Sequence, residues 1–137
     1  MFKNWLLSGL IVFLFFGLSC NQQQMDDSET GFLSGKVSIG PLCPVETDPP
    51  DPGCLPTKET YKAWPVAVFS VDGKRLIVQL NPQLDGTYEV EIPAGKYAIN
   101  LEDQHFSGVG GSNLPVFVEI NNADTTRLDI NIDTGIR

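Results

Sequence analysis

The chain has 137 residues, of which 17 are acidic and 9 are basic, so its formal net charge is −8. This length suits one domain of ordinary size, with no room for a catalytic domain joined to a second module. An acidic chain repels a phosphate backbone, which argues against nucleic acid as a partner. One histidine and three cysteines also leave little material for a metal site or a nucleophile.

The first twenty residues, MFKNWLLSGLIVFLFFGLSC, have the layout of an export signal. Lys3 precedes an apolar stretch at residues 5–18, and small or slim residues follow before Cys20. A membrane-spanning helix needs roughly 20 apolar residues, and here polar residues begin directly after Cys20. We therefore expect a cleaved signal peptide at residues 1–19, with an uncleaved transmembrane anchor as the weaker alternative.

The segment Gly17-Leu18-Ser19-Cys20 resembles the lipobox of bacterial lipoproteins. In that family the cysteine receives a diacylglyceryl group and becomes the mature N-terminus. The resemblance implies lipidation at Cys20, and two or three acyl chains on one cysteine hold a protein durably on a bilayer. Plain secretion remains an alternative to this anchoring.

Residues 20–30 (CNQQQMDDSET) show no apolar periodicity, so we expect a flexible acidic tether. The pair Asp26-Asp27 resembles the short acidic signals that some Bacteroidetes-type lipoproteins carry for surface display; a solvated linker is the alternative. We expect a lipid-anchored protein of the bacterial cell envelope, in the outer membrane, on its periplasmic or its surface-exposed face.

Cys43 and Cys54 remain once Cys20 is assigned to lipid. A pair of cysteines in an exported protein is most simply a disulfide, and a metal pair is poor because no further Cys or His lies nearby. Closing this loop would stabilise the fold by roughly 3 kcal/mol. The loop is too rich in proline for a helix or an interior strand. Its prolines and those that flank it are Pro41, Pro44, Pro49, Pro50, Pro52 and Pro56.

The body of the chain, from Gly31 onward, alternates with period two and shows no sustained helical period. An N-terminal strand is indicated by Leu33, Val37 and Ile39, and the segments 66–71 and 76–80 are more continuously apolar than the others, as central strands buried on both sides are. Alternating strands are predicted at 87–92, 96–101, 116–120 and 128–132. We therefore predict that residues 31–137 form an all-β fold, a single seven-stranded antiparallel β-sandwich.

Turn residues separate these strands. Asp72-Gly73 and Asp85-Gly86 are turn dipeptides, and Ile92-Pro93-Ala94-Gly95 fits a type I turn. We expect Asn121 to Asp124 to close a further hairpin.

Four residues are candidates for a binding surface. Tyr61 and Trp64 either form an aromatic platform for a sugar or a partner protein or cap the core, and we favour the core. His105 and Phe106 lie in a glycine-rich loop, QHFSGVGGSN, where Asp103 and Ser107 are too close in sequence to complete a Ser–His–Asp triad. We assign no catalytic residue.

The last predicted strand spaces Asp129, Asn131 and Asp133 like the start of a calcium loop. The EF-hand order requires glycine at the sixth position and glutamate at the twelfth, and neither is present. We interpret these side chains as the solvated face of a strand and expect neither metal nor cofactor.

Three segments resemble the bacterial carboxypeptidase regulatory-like, prealbumin-like β-sandwich modules: GKVSIGPLCPVE at 35–46, DGTYEVEIPAGKYAI at 85–99 and LDINIDTGIR at 128–137. Within them, Asp85-Gly86-x-Tyr88 is followed by Pro93-x-Gly95-x-Tyr97, which suggests two strands around one tight turn with both tyrosines facing the core. The resemblance implies a prealbumin-like or immunoglobulin-like sandwich with no catalytic residues. It also implies a structural or protein-interaction role, with an envelope protein as partner; a glycan or other ligand is the alternative.

Overall fold

The architecture is that of a computed structural model, which describes residues 29–45, 47–102 and 112–136. Within these ranges the chain forms eight β-strands, one short α-helix and one 3-10 turn. The strands are β1 (Thr30–Gly40), β2 (Val66–Ser70), β3 (Leu76–Gln79), β4 (Thr87–Pro93), β5 (Gly95–Leu101), β6 (Val116–Ile120), β7 (Thr125–Arg127) and β8 (Ile130–Asp133). The helix α1 spans Lys58–Ala63, and the 3-10 turn Pro52–Cys54 precedes it.

The strands form two four-stranded sheets. In the first sheet β1 pairs antiparallel with β4 on one side and parallel with β7 and β8 on the other. The second sheet has the order β3-β2-β5-β6 with antiparallel neighbours throughout. The predicted all-β sandwich is therefore confirmed.

The prediction of seven antiparallel strands is wrong at the C-terminal end of the described chain. The expected strand at 128–132 begins only at Ile130, as β8, and an additional strand, β7, precedes it; the two pair with successive halves of β1. Between β7 and β8, the Asp129 carboxylate accepts a hydrogen bond from the Lys36 N–H (3.0 Å). In an unbroken ladder a backbone carbonyl would accept this bond. Both strands run parallel to β1 because the chain crosses from the second sheet to the first after β6.

Three turns join strands of different sheets, among them Asp85-Gly86 between β3 and β4. Residues 121–124 lead from β6 to β7, so the hairpin expected there is not formed. Similarly, Pro93 to Gly95 carry the chain from β4 in the first sheet to β5 in the second. By contrast, Asp72-Gly73 closes a true hairpin between β2 and β3, where Gly73 has a φ of 73° that favours glycine.

Two further expectations are corrected. The segment 76–80 was predicted to be a central strand, but β3 lies at the edge of the second sheet. After β3 the chain crosses to the first sheet, so no further strand pairs with the outer side of β3. No helix was expected, yet α1 forms at Lys58–Ala63. Six residues are too few to show a helical period in the sequence, which explains why the pattern did not reveal it.

The core lies between the sheets and is built from the predicted inward faces. Fifteen buried side chains form one cluster, in which Leu33, Val68 and Ile99 are fully buried. Tyr88 and Tyr97 both face this core, as predicted, and each hydroxyl finds a carbonyl. Tyr88 donates to the Leu128 carbonyl at 2.6 Å and Tyr97 donates to the Pro93 carbonyl at 2.7 Å. The two tyrosines thereby satisfy their polar atoms while contributing ring area to the core.

Candidate functional site

The long strand β1 separates the two ends of the sandwich. The chain enters at Glu29, whose carbonyl accepts a hydrogen bond from the Ala94 N–H (2.7 Å), and leaves β1 at Gly40. The eleven residues of β1 span roughly 35 Å at about 3.3 Å per residue. We call the end at Glu29 the tether end and the end beyond Gly40 the loop end.

A disulfide fixes the proline-rich loop at the loop end. Cys43 and Cys54 are joined, as predicted, with their Cα atoms 5.6 Å apart. Inside the loop, Asp51 accepts a hydrogen bond from the Gly53 N–H on its carboxylate (2.8 Å) and another from the Cys54 N–H on its carbonyl (2.8 Å). The described residues of the loop therefore have both covalent and hydrogen-bonded constraints.

The start of the loop is also attached to the first sheet. The Thr134 N–H donates to the Gly40 carbonyl at 3.1 Å, and the Thr134 hydroxyl donates to the Pro41 carbonyl. Because Thr134 directly follows β8, these bonds hold the loop against the end of the β1–β8 pair. The start of the loop is thus attached directly to the end of the sheet.

The surface of the loop combines apolar and acidic groups. Val45 is 74% exposed and borders a shallow recess of about 200 Å³. Leu42, Thr47 and Pro50 also line that recess, and the exposed carboxylates of Asp48 and Asp51 lie in the same loop. An exposed apolar side chain beside fixed carboxylates is suited to contact with another protein.

The helix α1 follows this loop in the chain and points one aromatic ring inward. Thr57 and Thr60 form a capping box, in which the Thr60 hydroxyl accepts from the Thr57 N–H (3.0 Å) and the Thr57 hydroxyl accepts from the Thr60 N–H (3.3 Å). The cap starts the helix where Tyr61 reaches the core, with only 9% of that residue exposed. Trp64 follows the helix and packs, half-buried, against the core cluster.

A groove of about 370 Å³ runs beside Tyr61, between the second half of β1 and two exposed leucines. Leu55 forms one wall and Leu84, which is 61% exposed, forms the other. Lys36 and Asp85 supply opposite charges at its border. We call this the loop-end groove; an apolar floor with a charged border can receive an apolar side chain of a partner.

The ionisable groups of the groove have shifted pKa values with simple causes. Hydrogen bonds from the Thr87 hydroxyl (2.6 Å) and the Thr87 N–H (2.9 Å) lower the pKa of Asp85, and Lys36 contributes in the same direction. Burial raises the pKa of Tyr61, and the negative charge of Asp85 adds to this effect. Asp85 is therefore ionised and Tyr61 neutral near pH 7.

The residues predicted as a binding surface are only partly placed. Tyr61 and Trp64 both lie at the loop end, against the core. His105 and Phe106 lie outside the described residues, as does the lipidation candidate Cys20. Val45, Leu55 and Leu84 were not among the residues predicted for a binding surface. Their signal is an isolated apolar residue within a stretch rich in proline and acidic residues, where no strand can bury it.

The described part of the chain contains neither a metal-binding cluster nor a membrane-spanning helix. Among residues 29–45, 47–102 and 112–136, no three His, Cys, Asp or Glu side chains are grouped closely enough to hold a metal ion. Within the same ranges no helix has the length and apolar character to cross a membrane.

No protein-family model matches this chain, and a search of the curated proteins found no match. Among solved structures, the chain is similar to a DUF3823 family protein from Parabacteroides merdae, with 18% identity and a TM-score of 0.44. That match covers 77% of this chain and 47% of the other.

Two pilins are also similar. The minor pilin GBS52 of Streptococcus agalactiae has 14% identity and a TM-score of 0.46, covering 77% of this chain and 44% of the pilin. The major pilin subunit BcpA of Bacillus cereus, as its D312A variant, has 11% identity and a TM-score of 0.42, covering 76% of this chain and 28% of the pilin. The chain spans less than half the length of each of these structures, and the likeness concerns the fold alone.

Proposed function

We propose that this protein is a lipoprotein of a bacterial cell envelope whose β-sandwich serves as a structural or protein-interaction module. The export signal at residues 1–19 and the lipobox-like Cys20 support the anchoring. Acyl chains on Cys20 would hold the protein on the bilayer, and residues 20–29 would link that anchor to the sandwich. The proposal gives the protein a binding role and no reaction to catalyse.

The observation that carries the proposal is the position of the disulfide-tied loop relative to the tether. The chain enters at Glu29, whereas the Cys43–Cys54 loop begins at the other end of β1. An anchored molecule would therefore present its most constrained surface at the end opposite its attachment. A loop that is already rigid loses little conformational entropy when a partner binds.

The chemistry of the loop end supports a protein as partner. Val45, Leu55 and Leu84 are exposed apolar side chains, and all three border recesses on this end. Contacts of this kind, surrounded by polar residues, resemble the apolar centre and polar rim of protein interfaces. We therefore expect an envelope protein to bind at the loop end.

Anchoring is tested by cell fractionation. The Cys20→Ala variant should move from the membrane fraction to the soluble fraction, because it lacks the residue that carries lipid. The double variant Cys43→Ala/Cys54→Ala is the matched control and should stay with the membranes. Complete retention of Cys20→Ala in the membrane fraction would contradict the anchoring.

Interaction is tested by chemical cross-linking in intact cells, with full-length tagged protein that retains Cys20, followed by mass spectrometry of the adducts. One recurring envelope protein among the adducts is the expected result. Recovery of the anchored monomer alone would contradict a protein partner and favour the alternative, glycan binding.

A further inference from the structure

The outer face of the second sheet carries a row of apolar side chains that crosses all four strands. The register places Leu76 of β3 beside Phe69 of β2, Phe69 beside Ala98 of β5, and Ala98 beside Phe117 of β6. Phe117 is 65% exposed, although Val116 and Val118 on either side of it pack against the core. We call these four residues together with the exposed Val71 the apolar row.

The apolar row lies in a shallow trough rather than on a flat sheet. A recess of about 240 Å³ is lined by Phe69, Val71, Ala98 and Phe117 among others. A second recess of about 290 Å³ lies on the other side of Phe117, towards Lys96, and Val71 lines this recess as well. The exposed apolar area of the row is supplied by Phe117, Val71 and Leu76, because Ala98 is only 6% exposed.

The apolar row begins near the point where the tether joins the sandwich. Ala94, which bonds to Glu29, is two residues from Lys96, and Tyr97 pairs with Ser70, the residue before Val71. At most about 35 Å of extended chain separates Cys20 from Glu29. A lipid on Cys20 would thus keep the row within reach of the bilayer surface.

Basic side chains border the same part of the face. Lys74 and Arg75 lie in the exposed β2–β3 turn and Lys96 lies at the start of β5. Two carboxylates are also present. Asp72 accepts hydrogen bonds from the Ser70 hydroxyl (2.5 Å) and the Lys74 N–H (3.1 Å), and Glu119 lies opposite Lys96.

The opposite sheet has a different charge pattern along its free edge strand. The outer face of β4 presents Glu89 and Glu91, both exposed. A chain of net charge −8 near an anionic bilayer is repelled overall, so the preferred orientation brings Lys74, Arg75 and Lys96 towards the lipid. In that orientation β4 faces away from the membrane.

The size of the apolar row favours a membrane over a second copy of the chain. Four strands spaced about 4.8 Å apart make a strip less than about 20 Å wide, which amounts to a few hundred Å². A stable protein interface buries about 800 Å² on each partner. A weak contact suffices for a protein that its lipid already holds at the surface, because the second contact is then intramolecular in effect.

We propose that the apolar row is a membrane-contact surface, which rests on the lipid bilayer to which Cys20 attaches the protein. The inference depends on the proposed anchoring and adds to it an orientation. Phe117, Leu76 and Val71 enter the headgroup region, while Lys74, Arg75 and Lys96 meet anionic headgroups. The Cys43–Cys54 loop stays open to a partner.

The test uses full-length lipidated protein reconstituted into vesicles of phosphatidylethanolamine and phosphatidylglycerol, part of which carry brominated acyl chains that quench tryptophan. Phe117→Trp reports on the apolar row. Leu84→Trp, at a similarly exposed apolar position of the loop end, is the matched control. The wild-type protein supplies the background emission of Trp64.

We expect quenching of the tryptophan at position 117 at least about two-fold stronger than at position 84, because an interfacial side chain lies several ångströms into the boundary of the acyl chains. Equal quenching at both positions in protein that floats with the vesicles would overturn the membrane contact and leave the anchoring intact. Protein that does not float would overturn the anchoring as well. A blue shift at position 117 that grows with protein density, without bromine quenching, would show that a second copy covers the row and would overturn the proposal.

Discussion

At the scale of single residues, Gly35 marks the place where β1 passes the break between β7 and β8. A Cβ atom at this position would lie 1.8 Å from the Leu128 carbonyl oxygen, far inside contact distance. The same carbonyl accepts the Tyr88 hydroxyl, so the backbone around it has little freedom to move. The approach of the two strands therefore requires glycine.

We predict that Gly35→Ala lowers the free energy of unfolding by about 2 kcal/mol or more, since overpacking a fixed backbone costs on this order. Urea unfolding of the two proteins measures the difference. Gly40→Ala is the control, because nothing lies within 4 Å of a Cβ there, and it should change stability little. Equal effects of the two substitutions would contradict the close approach at Gly35.

A second prediction concerns Asp85 and acid. Hydrogen bonds from Thr87 lower the pKa of Asp85 in the folded protein, so its ionised form favours folding. That contribution is present above about pH 4, the pKa of an unfolded aspartate, and is lost as the pH falls through the lower folded value. The free energy of unfolding should be measured between about pH 6 and about pH 2, a range that covers this titration. It should fall less steeply with acid for Asp85→Asn than for the wild type.

Thr87→Val provides the check on this mechanism. It removes the hydroxyl that donates to Asp85 at 2.6 Å while leaving the carboxylate in place, so it should weaken the same acid dependence. Parallel curves for all three proteins would show that Asp85 does not couple folding to pH.

At the scale of elements, the disulfide loop is the part whose contribution is simplest to isolate. Cys43 and Cys54 are separated by 11 positions, and closing a loop of this size restricts the unfolded chain. We predict that Cys43→Ser/Cys54→Ser lowers the free energy of unfolding by about 3 kcal/mol. The measurement is urea unfolding with and without reductant.

The double variant also controls for the reductant. Reduction should destabilise the wild-type protein by about as much as the two substitutions do, whereas the double variant should not respond. A wild-type protein that keeps its full stability after verified reduction would contradict the role given to the bridge.

The elements that the sequence predicted well are those whose pattern reflects burial directly. In β4 and β5 apolar and polar side chains alternate, and Tyr88, Ile92, Tyr97 and Ile99 are buried as that alternation requires. The elements that were missed depend on partners far away in sequence. The division of β7 from β8 follows from Asp129 bonding to Lys36, 93 positions away, which no local pattern contains.

The same distinction applies to the candidate site. The disulfide follows from composition, since only two cysteines remained after Cys20. The loop-end groove brings together Leu55 and Leu84, which are distant in sequence, so its position could not be predicted. The exposure of Phe117 could have been predicted from the sequence, because the inward positions of Val116 and Val118 place Phe117 on the outer face.

At the scale of the whole molecule, the two ends of the sandwich have different surfaces. The tether end joins the sequence that leads to Cys20 and lies near the apolar row, whereas the loop end carries the disulfide, the short helix and the loop-end groove. The account therefore predicts that partner contacts cluster at the loop end and that contacts with lipid cluster on the second sheet.

The most direct test of this account is photo-cross-linking in intact cells, with a photoreactive amino acid placed at one position at a time in the full-length protein. Val45 reports on the loop end, and Glu89, exposed on the outer face of the first sheet, is the control. The account predicts one recurring protein adduct from position 45 and none from position 89. The same adduct from both positions, or no protein adduct from position 45 in membrane-bound protein, would contradict it.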